Sequence, residues 1–184
     1  MVKTKSTRLT RQDWLLGALE ILGTTGVEGV KIVPLAKWMG VTSGSFYWHF
    51  RNRRDLHEAL CEYWEREMTD VAIAAAKNIE GPPVERIWNL MEQVMDTGMA
   101  RFDLAFWHWA QSDTAVQTVF KRTIEKRFKF AAWMFSQAGF SKTQAQIRGR
   151  MMVIYMMGES TLFPGSPKKR KQHLRLKFAI LTSS

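Results

Sequence analysis

Apolar residues along this chain recur every three or four positions, while alternation at every second residue is scarce, so the pattern predicts helices throughout and almost no strand. Thr10, with Asp13 three residues on, reads as the N-cap of a first helix whose positions Trp14, Leu15, Ala18, Ile21 and Leu22 line one side and which ends near residues 23–26. A short second helix over 32–39 puts Ile32, Leu35, Ala36 and Met39 on one face. Pro34 is tolerated there because it falls in the first turn, where its missing N–H has no intrahelical partner. Gly40 breaks that helix, and Thr42 is placed to cap a third, from 43 to about 49, by accepting from the N–H of Gly44 or Ser45.

After the polar junction Arg51-Asn52-Arg53-Arg54-Asp55 a long helix is expected to run to about residue 78, where Gly81-Pro82-Pro83 stops it. Five more helices are predicted over 84–99, 102–111, 114–138, 142–160 and 168–181. No internal repeat is present. The expected architecture is all-α, with a small three-helix unit over 1–54 and a larger helical bundle over 55–184.

Two short helices joined at Gly40-Val41, with the small Ala36 inside the first, form the helix-turn-helix pattern, which needs a tight turn and a close approach of its helices. In that arrangement Phe46 and Phe50, four apart on one face, join the core with Ile32, Leu35, Met39 and Val41. The run Thr42-Ser43-Gly44-Ser45 then has a reason to be small, because the N-terminal end of a recognition helix lies against base edges in the major groove. Thr42 would also donate to a phosphate.

Charge agrees with that picture once it is located. Of the net +10, residues 1–60 hold nine Lys/Arg against five Asp/Glu, 61–167 hold twelve against twelve, and 168–184 hold six against none. A basic segment around a helix-turn-helix is the footprint of a phosphate-binding face, or simply a solvated surface. Lys3, Lys5, Arg8 and Arg11 form either a DNA-tracking arm or a plain basic terminus. The patch Ser166-Pro167-Lys168-Lys169-Arg170-Lys171 reads as the solvated start of the last helix, with a nuclear-import patch as the other reading.

Cys61 is the single cysteine, so no internal disulfide forms, and neither a zinc spacing nor a second ligand for His49 is present. No apolar run approaches the ~18 residues of a membrane span, and the N-terminus has no secretory signal pattern, so a cytoplasmic protein is expected. Four histidines and one cysteine, without G-x-S-x-G, a Gly-rich phosphate loop or H-E-x-x-H, offer no nucleophile–base pair and no metal site, so neither an enzyme nor a cofactor is expected.

The span from about residue 10 to 64, and especially the stretch GVEGVKIVPLAKWMGVTSGSFYWHFRNRRDLHEAL, residues 26–60, resembles the N-terminal DNA-binding domain of the tetracycline-repressor (TetR) family of bacterial transcriptional regulators. The likeness lies in the Gly26-to-Gly40 spacing, the Leu35-Ala36 pair, the Gly40-Val41-Thr42 start, the Phe46-Tyr47-x-His49-Phe50 close and the following Leu56-x-x-Ala59-Leu60 helix. The resemblance implies that Tyr47, His49 and Arg53 bond backbone phosphates and that Ser43, Gly44, Ser45 and Trp48 lie near base edges. For Tyr47 and Trp48, packing on the next helix stays open, and for His49 a plain surface role does. Lys31, Pro34 and Gly17 depart from the family pattern, and Gly17 in a helix interior costs about 1 kcal/mol relative to Ala.

Farther along, FDLAFWHWAQSD and WMFSQAGF, residues 102–113 and 133–140, resemble one branch of the family's C-terminal domains. Met91, Met95, Phe106, Trp107 and Trp133 are apolar residues at helical spacing, read first as core. The resemblance adds a ligand-binding pocket for a small-molecule effector among them, with His108 and Gln111 as polar members; His108 as an ordinary packed histidine stays open. The helix over 145–158 becomes apolar nearly all round in its second half and must be buried on more than one side. A homodimer interface, which the resemblance implies, meets that need, and so would burial within one subunit. The expected function is therefore a dimeric, sequence-specific repressor that binds double-stranded DNA at a palindromic operator and is released by its effector. The competing reading is a helical interaction module whose helix-turn-helix does not bind DNA.

Overall fold

A computed structural model describes residues 9–162 and 166–183, and all regular structure among them is helical. Lys3, Lys5 and Arg8 of the expected basic arm, and the loop residues 163–165, lie outside the described residues. The chain divides into two compact units between Tyr63 and Trp64. That division falls later than the junction expected at residues 54 and 55, because Leu56, Ala59 and Leu60 are buried in the first unit.

In the first unit, α1 (Arg11–Thr25) starts at a complete capping box: the Thr10 hydroxyl accepts from the Asp13 N–H at 3.2 Å, and the Asp13 carboxylate accepts from the Thr10 N–H at 2.7 Å. Gly26, with φ of +73°, ends it. A 3-10 turn, Val27–Gly29, leads into α2 (Ile32–Trp38), with Pro34 in its first turn as expected. A Schellman turn follows, in which Val41 N–H donates to Ala36 C=O at 3.0 Å and Gly40 N–H to Lys37 C=O at 3.2 Å, with Gly40 at φ of +71°. Gly17, a weak point when α1 is considered alone, is where α2 comes close. A Cβ there would lie 3.1 Å from Met39 Sδ and from the Trp38 ring.

The next segment, Ser43–Trp48, winds as a 3-10 helix rather than the α-helix expected. The Thr42 side chain makes no capping bond; its backbone carbonyl takes the Ser45 N–H at 3.1 Å and the Ser45 hydroxyl at 2.8 Å instead. Phe46 anchors the segment, with the Trp14 ring edge-on to it, centroids 5.4 Å apart, and Phe50 stacked at 5.3 Å. All three are buried, and burial of each aromatic side chain contributes about 1.5–3 kcal/mol. α3 (Arg53–Glu65) begins with a reciprocal cap, since Asn52 Oδ1 accepts from the Asp55 N–H and the Asp55 carboxylate from the Arg51 N–H.

The second unit begins at Trp64. Helical winding continues past α3 through a π-helical run, Arg66–Val71, into α4 (Ala72–Lys77), so the uniform long helix expected here has an irregular middle. α5 (Pro83–Thr97), α6 (Arg101–Trp109), α7 (Thr114–Gln137), α8 (Lys142–Leu162) and α9 (Pro167–Thr182) match the five predicted helices closely. Their boundaries are chemical: Gly98 at φ of +62° ends α5, Asp113 caps α7 by accepting from the N–H groups of Ala115 and Val116, and Ser166 caps α9. Ile87, Met91, Met134, Phe135, Ala145, Met152 and Leu174 are central to a core shared by α5, α7, α8 and α9. α7 and α8 approach closely at Gly149, where a Cβ would lie 2.7 Å from the Ala132 backbone nitrogen.

Candidate nucleic-acid interface and effector cavity

Local geometry presents the 3-10 segment by its small residues. With Phe46 pointing into the core, Thr42 and Gly44 are left exposed and Ser43 and Ser45 half-buried. A Cβ on Gly44 would meet nothing but Thr42 Oγ1, at 3.8 Å, and the residue's φ is not positive. Neither backbone strain nor internal crowding therefore calls for glycine at this position. Tyr47 and Trp48 are 58% and 66% exposed, and Tyr47 keeps an edge contact with Phe46. His49 is half-buried, with its backbone N–H on Phe46 C=O at 2.9 Å.

Arg53, expected at a phosphate, is also held within the chain. Its Nε donates to the Val30 carbonyl at 2.7 Å and its Nη2 to the Val27 carbonyl at 2.9 Å, so its guanidinium ties the turn after α1 to the start of α3. The cations that stand in solvent at this junction are Arg51 and Arg54, with side chains 82% and 88% exposed. Their i,i+4 pairs with Asp55 and Glu58 are surface pairs that hold them only weakly. The Asp55 carboxyl is held below the ordinary carboxylate range, first by the Arg51 N–H and then by its side chain. The residue pattern made Arg51 and Arg54 visible only as members of a polar junction, without separating them from Arg53.

In the second unit a cavity of about 120 Å³ opens among Met68, Met91, Met99, Met152, Met156 and Met157, with Phe130 and Val153. Of the seven residues expected at an effector pocket, Met91 lines it and the other six, Gln111 among them, do not. Phe106 is fully buried, stacked on Trp64 at 4.5 Å. Trp107 and His108 face outward on α6, Trp133 stacks beside Phe130 under the Arg86 guanidinium, and Met95 borders a separate, open groove beside Lys171 and Arg175. Helical spacing groups residues on one face; it does not tell a filled interior from a hollow one.

The cavity's polar end was not foreseen. Asp103, 2% exposed, accepts from Trp64 Nε1 at 2.8 Å and from Arg127 Nη1 at 2.7 Å, while Arg127 Nε donates to Thr69 Oγ1 at 2.9 Å. Beside it, Glu65 pairs with both Arg122 and Lys126, and Lys126 also reaches Asp70 at 2.8 Å. The Arg122 hydrogen bond, aided by Lys126, lowers the Glu65 pKa to about 2. In a regular helix a residue five positions on is turned by about 140°. The π winding between Glu65 and Asp70 is what lets both carboxylates face one lysine.

Two apolar stripes remain exposed: Ile147, Met151 and Ile154 on α8, and Leu176 and Ile180 on α9. Arg148 Nη1 donates to the Leu181 carbonyl at 2.6 Å and Lys177 reaches Tyr155 and Glu159, so these two helices are tied together. No helix among the described residues is long and apolar enough to cross a membrane.

Residues 15–60 match the family described as bacterial regulatory proteins, tetR family. The HTH-type transcriptional regulator AcrR of Shigella flexneri is 29% identical over 48% of this chain and 41% of its own length. The class C tetracycline repressor protein of Escherichia coli is 42% identical over 30% of this chain and 25% of its own. The chain thus spans less than half the length of these two relatives. In fold the likeness covers nearly everything: the ketosteroid transcriptional regulator KstR2 of Mycobacterium tuberculosis superposes with a TM-score of 0.68 over 99% of this chain and 95% of its own, at 16% identity. FadR from Bacillus subtilis, solved in complex with stearoyl-CoA, gives 0.67 over 95% and 98%, at 14%. Residues 15–60, which build the helix-turn-helix unit, thus match the tetR family of bacterial regulatory proteins, and the all-helical fold of the whole chain is shared with solved transcriptional regulators.

Proposed function

We propose that the protein is a homodimeric, cytoplasmic transcriptional repressor that binds a palindromic operator in double-stranded DNA and lets go when a small molecule occupies its second unit. The observation that carries this reading is the bare tip of the 3-10 segment: Gly44 has open space around it and needs no glycine for its own fold, so its lack of a side chain serves something outside the chain. Ser43, Gly44, Ser45 and Trp48 approach base edges, while Thr42, Tyr47, His49, Arg51 and Arg54 hold phosphates and set the register. The first unit, to Tyr63, supplies DNA binding, and the second, from Trp64, supplies effector binding and dimerisation.

Dimerisation is favoured by the exposed stripes on α8 and α9, five large apolar residues on two tied helices. A second copy of the chain brings the same stripes and covers them by two-fold symmetry. Ile154→Glu should then yield a monomer by light scattering; a dimer of unchanged stability would place the interface elsewhere. Two-fold symmetry also sets half-sites about one DNA turn apart, ~34–36 Å. An effector releases DNA only if it binds the non-operator arrangement more tightly, and operator DNA must weaken effector binding by the same factor.

The experiment that tests the reading is selection of bound duplexes from a random pool at moderate salt. An enriched palindrome is the expected result. Uniform recovery, or no duplex retained, would instead favour a helix-turn-helix that no longer binds DNA.

A further inference from the structure

The wall and floor of the cavity in the second unit restrict what it accepts. Six of its lining residues are methionines, flexible and polarizable side chains that mould to apolar shapes. Its volume, about 120 Å³, is near that of apolar cavities of roughly 150 Å³ that hold one benzene ring. The polar groups of the lining that bond to one another, Thr69, Asp103 and Arg127, are gathered at one end.

The charges at that end cancel. The Asp103 carboxylate already has an indole N–H on one oxygen and a guanidinium N–H on the other. An anion or cation entering the cavity would find no uncompensated partner, and burying a charge without one is costly. Arg127 still has something to offer, because its guanidinium carries five N–H donors and its bonds to Thr69 and Asp103 take two. Thr69 belongs to the π-helical run, a kind of irregularity that occurs often at functional sites.

We propose that this cavity takes a compact, uncharged molecule of about one ring in size, apolar over most of its surface, whose single hydrogen-bond acceptor docks on Arg127. The proposal rests on the reading of the second unit as an effector domain and names the chemical class of that effector. It excludes free carboxylates and quaternary amines from this cavity and favours ketones, ethers and esters of small ring compounds.

The test uses the full chain and three probes of matched shape, acetophenone, ethylbenzene and benzoate, followed by calorimetry and by the methyl signals of labelled methionines. Acetophenone should bind and shift the signals of Met91 and Met152, ethylbenzene should bind about tenfold more weakly, since one hydrogen bond is worth about 1–1.5 kcal/mol, and benzoate weaker still. Val153→Phe, which fills the cavity, should abolish all three. Arg127→Met alone would strand the Asp103 charge, so the informative variant is Arg127→Met with Asp103→Leu. It should fold, still bind ethylbenzene, and lose the preference for acetophenone. Tightest binding of benzoate, equal binding of all three, or no binding of any would overturn the proposal. Binding in the expected order that leaves operator affinity unchanged would support the assignment of the cavity while sinking the effector reading, so the two failures are told apart.

Discussion

Gly44 offers the sharpest separation of folding from DNA binding. Consider Gly44→Ala and Gly44→Val. In the free protein the added Cβ meets only Thr42 Oγ1, at 3.8 Å, an ordinary van der Waals distance, and the backbone at this position suits any L residue. Removing glycine's freedom in the unfolded chain should then leave the alanine variant as stable as the parent or up to about 1 kcal/mol more stable. At the operator the same methyl would stand where backbone has to approach the base edges. Loss of one specific base contact costs about 1–3 kcal/mol, so operator affinity should fall roughly 5- to 150-fold, further for valine than for alanine. Affinity for scrambled duplex, and the slope of its salt dependence, should not change, because phosphates supply both. Fluorescence anisotropy on selected and scrambled duplexes across a salt series, beside urea unfolding, reads all of these quantities. Operator affinity within twofold of the parent would refute the placement of this residue, and a drop in stability would refute the claim of open space.

The other expectations concern the scaffold. Gly149→Ala should destabilise by about 1–2 kcal/mol in urea, since a Cβ 2.7 Å from the Ala132 nitrogen forces α7 and α8 apart and outweighs the roughly 1 kcal/mol gained in helix propensity. Gly158→Ala in the same helix has only Leu162 Cδ1 at 3.5 Å and should stabilise by about 0.5–1 kcal/mol; equal signs for the two would contradict the packing argument. Glu65, with a pKa lowered from 4.5 to about 2, contributes stability that is present above about pH 4.5 and lost as pH falls towards 2. Its partners Arg122 and Lys126 are 54% and 35% exposed, so solvent screening leaves about 1–2 kcal/mol. The difference in stability between the parent and Glu65→Gln should therefore shrink between pH 5 and pH 2.5, and a constant difference would show that the ion pairs are idle. Arg53→Ala should lower stability by about 1–3 kcal/mol through loss of the bonds to the Val27 and Val30 carbonyls while leaving the salt slope of DNA binding unchanged; a flattened slope would restore Arg53 to the phosphate contacts.

Much of the fold was legible because helix ends are written in local chemistry. Thr10 with Asp13, and Gly40, act on backbone groups within a few positions, so residue type and spacing suffice to read them. What escaped reading depends on partners distant in sequence. Glu65 and Asp70 meet at Lys126, so nothing in residues 66–71 alone announces wider winding. Phe106, buried, and Trp107, 48% exposed, are neighbours of similar character, and only the packing of α6 assigns one to the interior. The exposed tip of small residues over buried Phe46 was legible because residue size and helical spacing are local features. The intrachain bonds of Arg53 were not legible, because a family position names a residue type without saying that carbonyls of the same chain hold it. Asp103 and Arg127 are 24 positions apart, and no periodicity could have paired them.

Lys126 sits 56 residues downstream of the Asp70 it holds, with Glu65 on its other side. Irregular pitch in one stretch of backbone is thus tied to an amine in another helix, alongside Arg122 on Glu65 and Arg127 on Thr69. Acidification, strong brine or acetylation of that amine would each remove the attraction keeping the turns loose, and the backbone of 66–71 would then gain by tightening to regular pitch. Amide exchange across 66–71 would read that change in pitch.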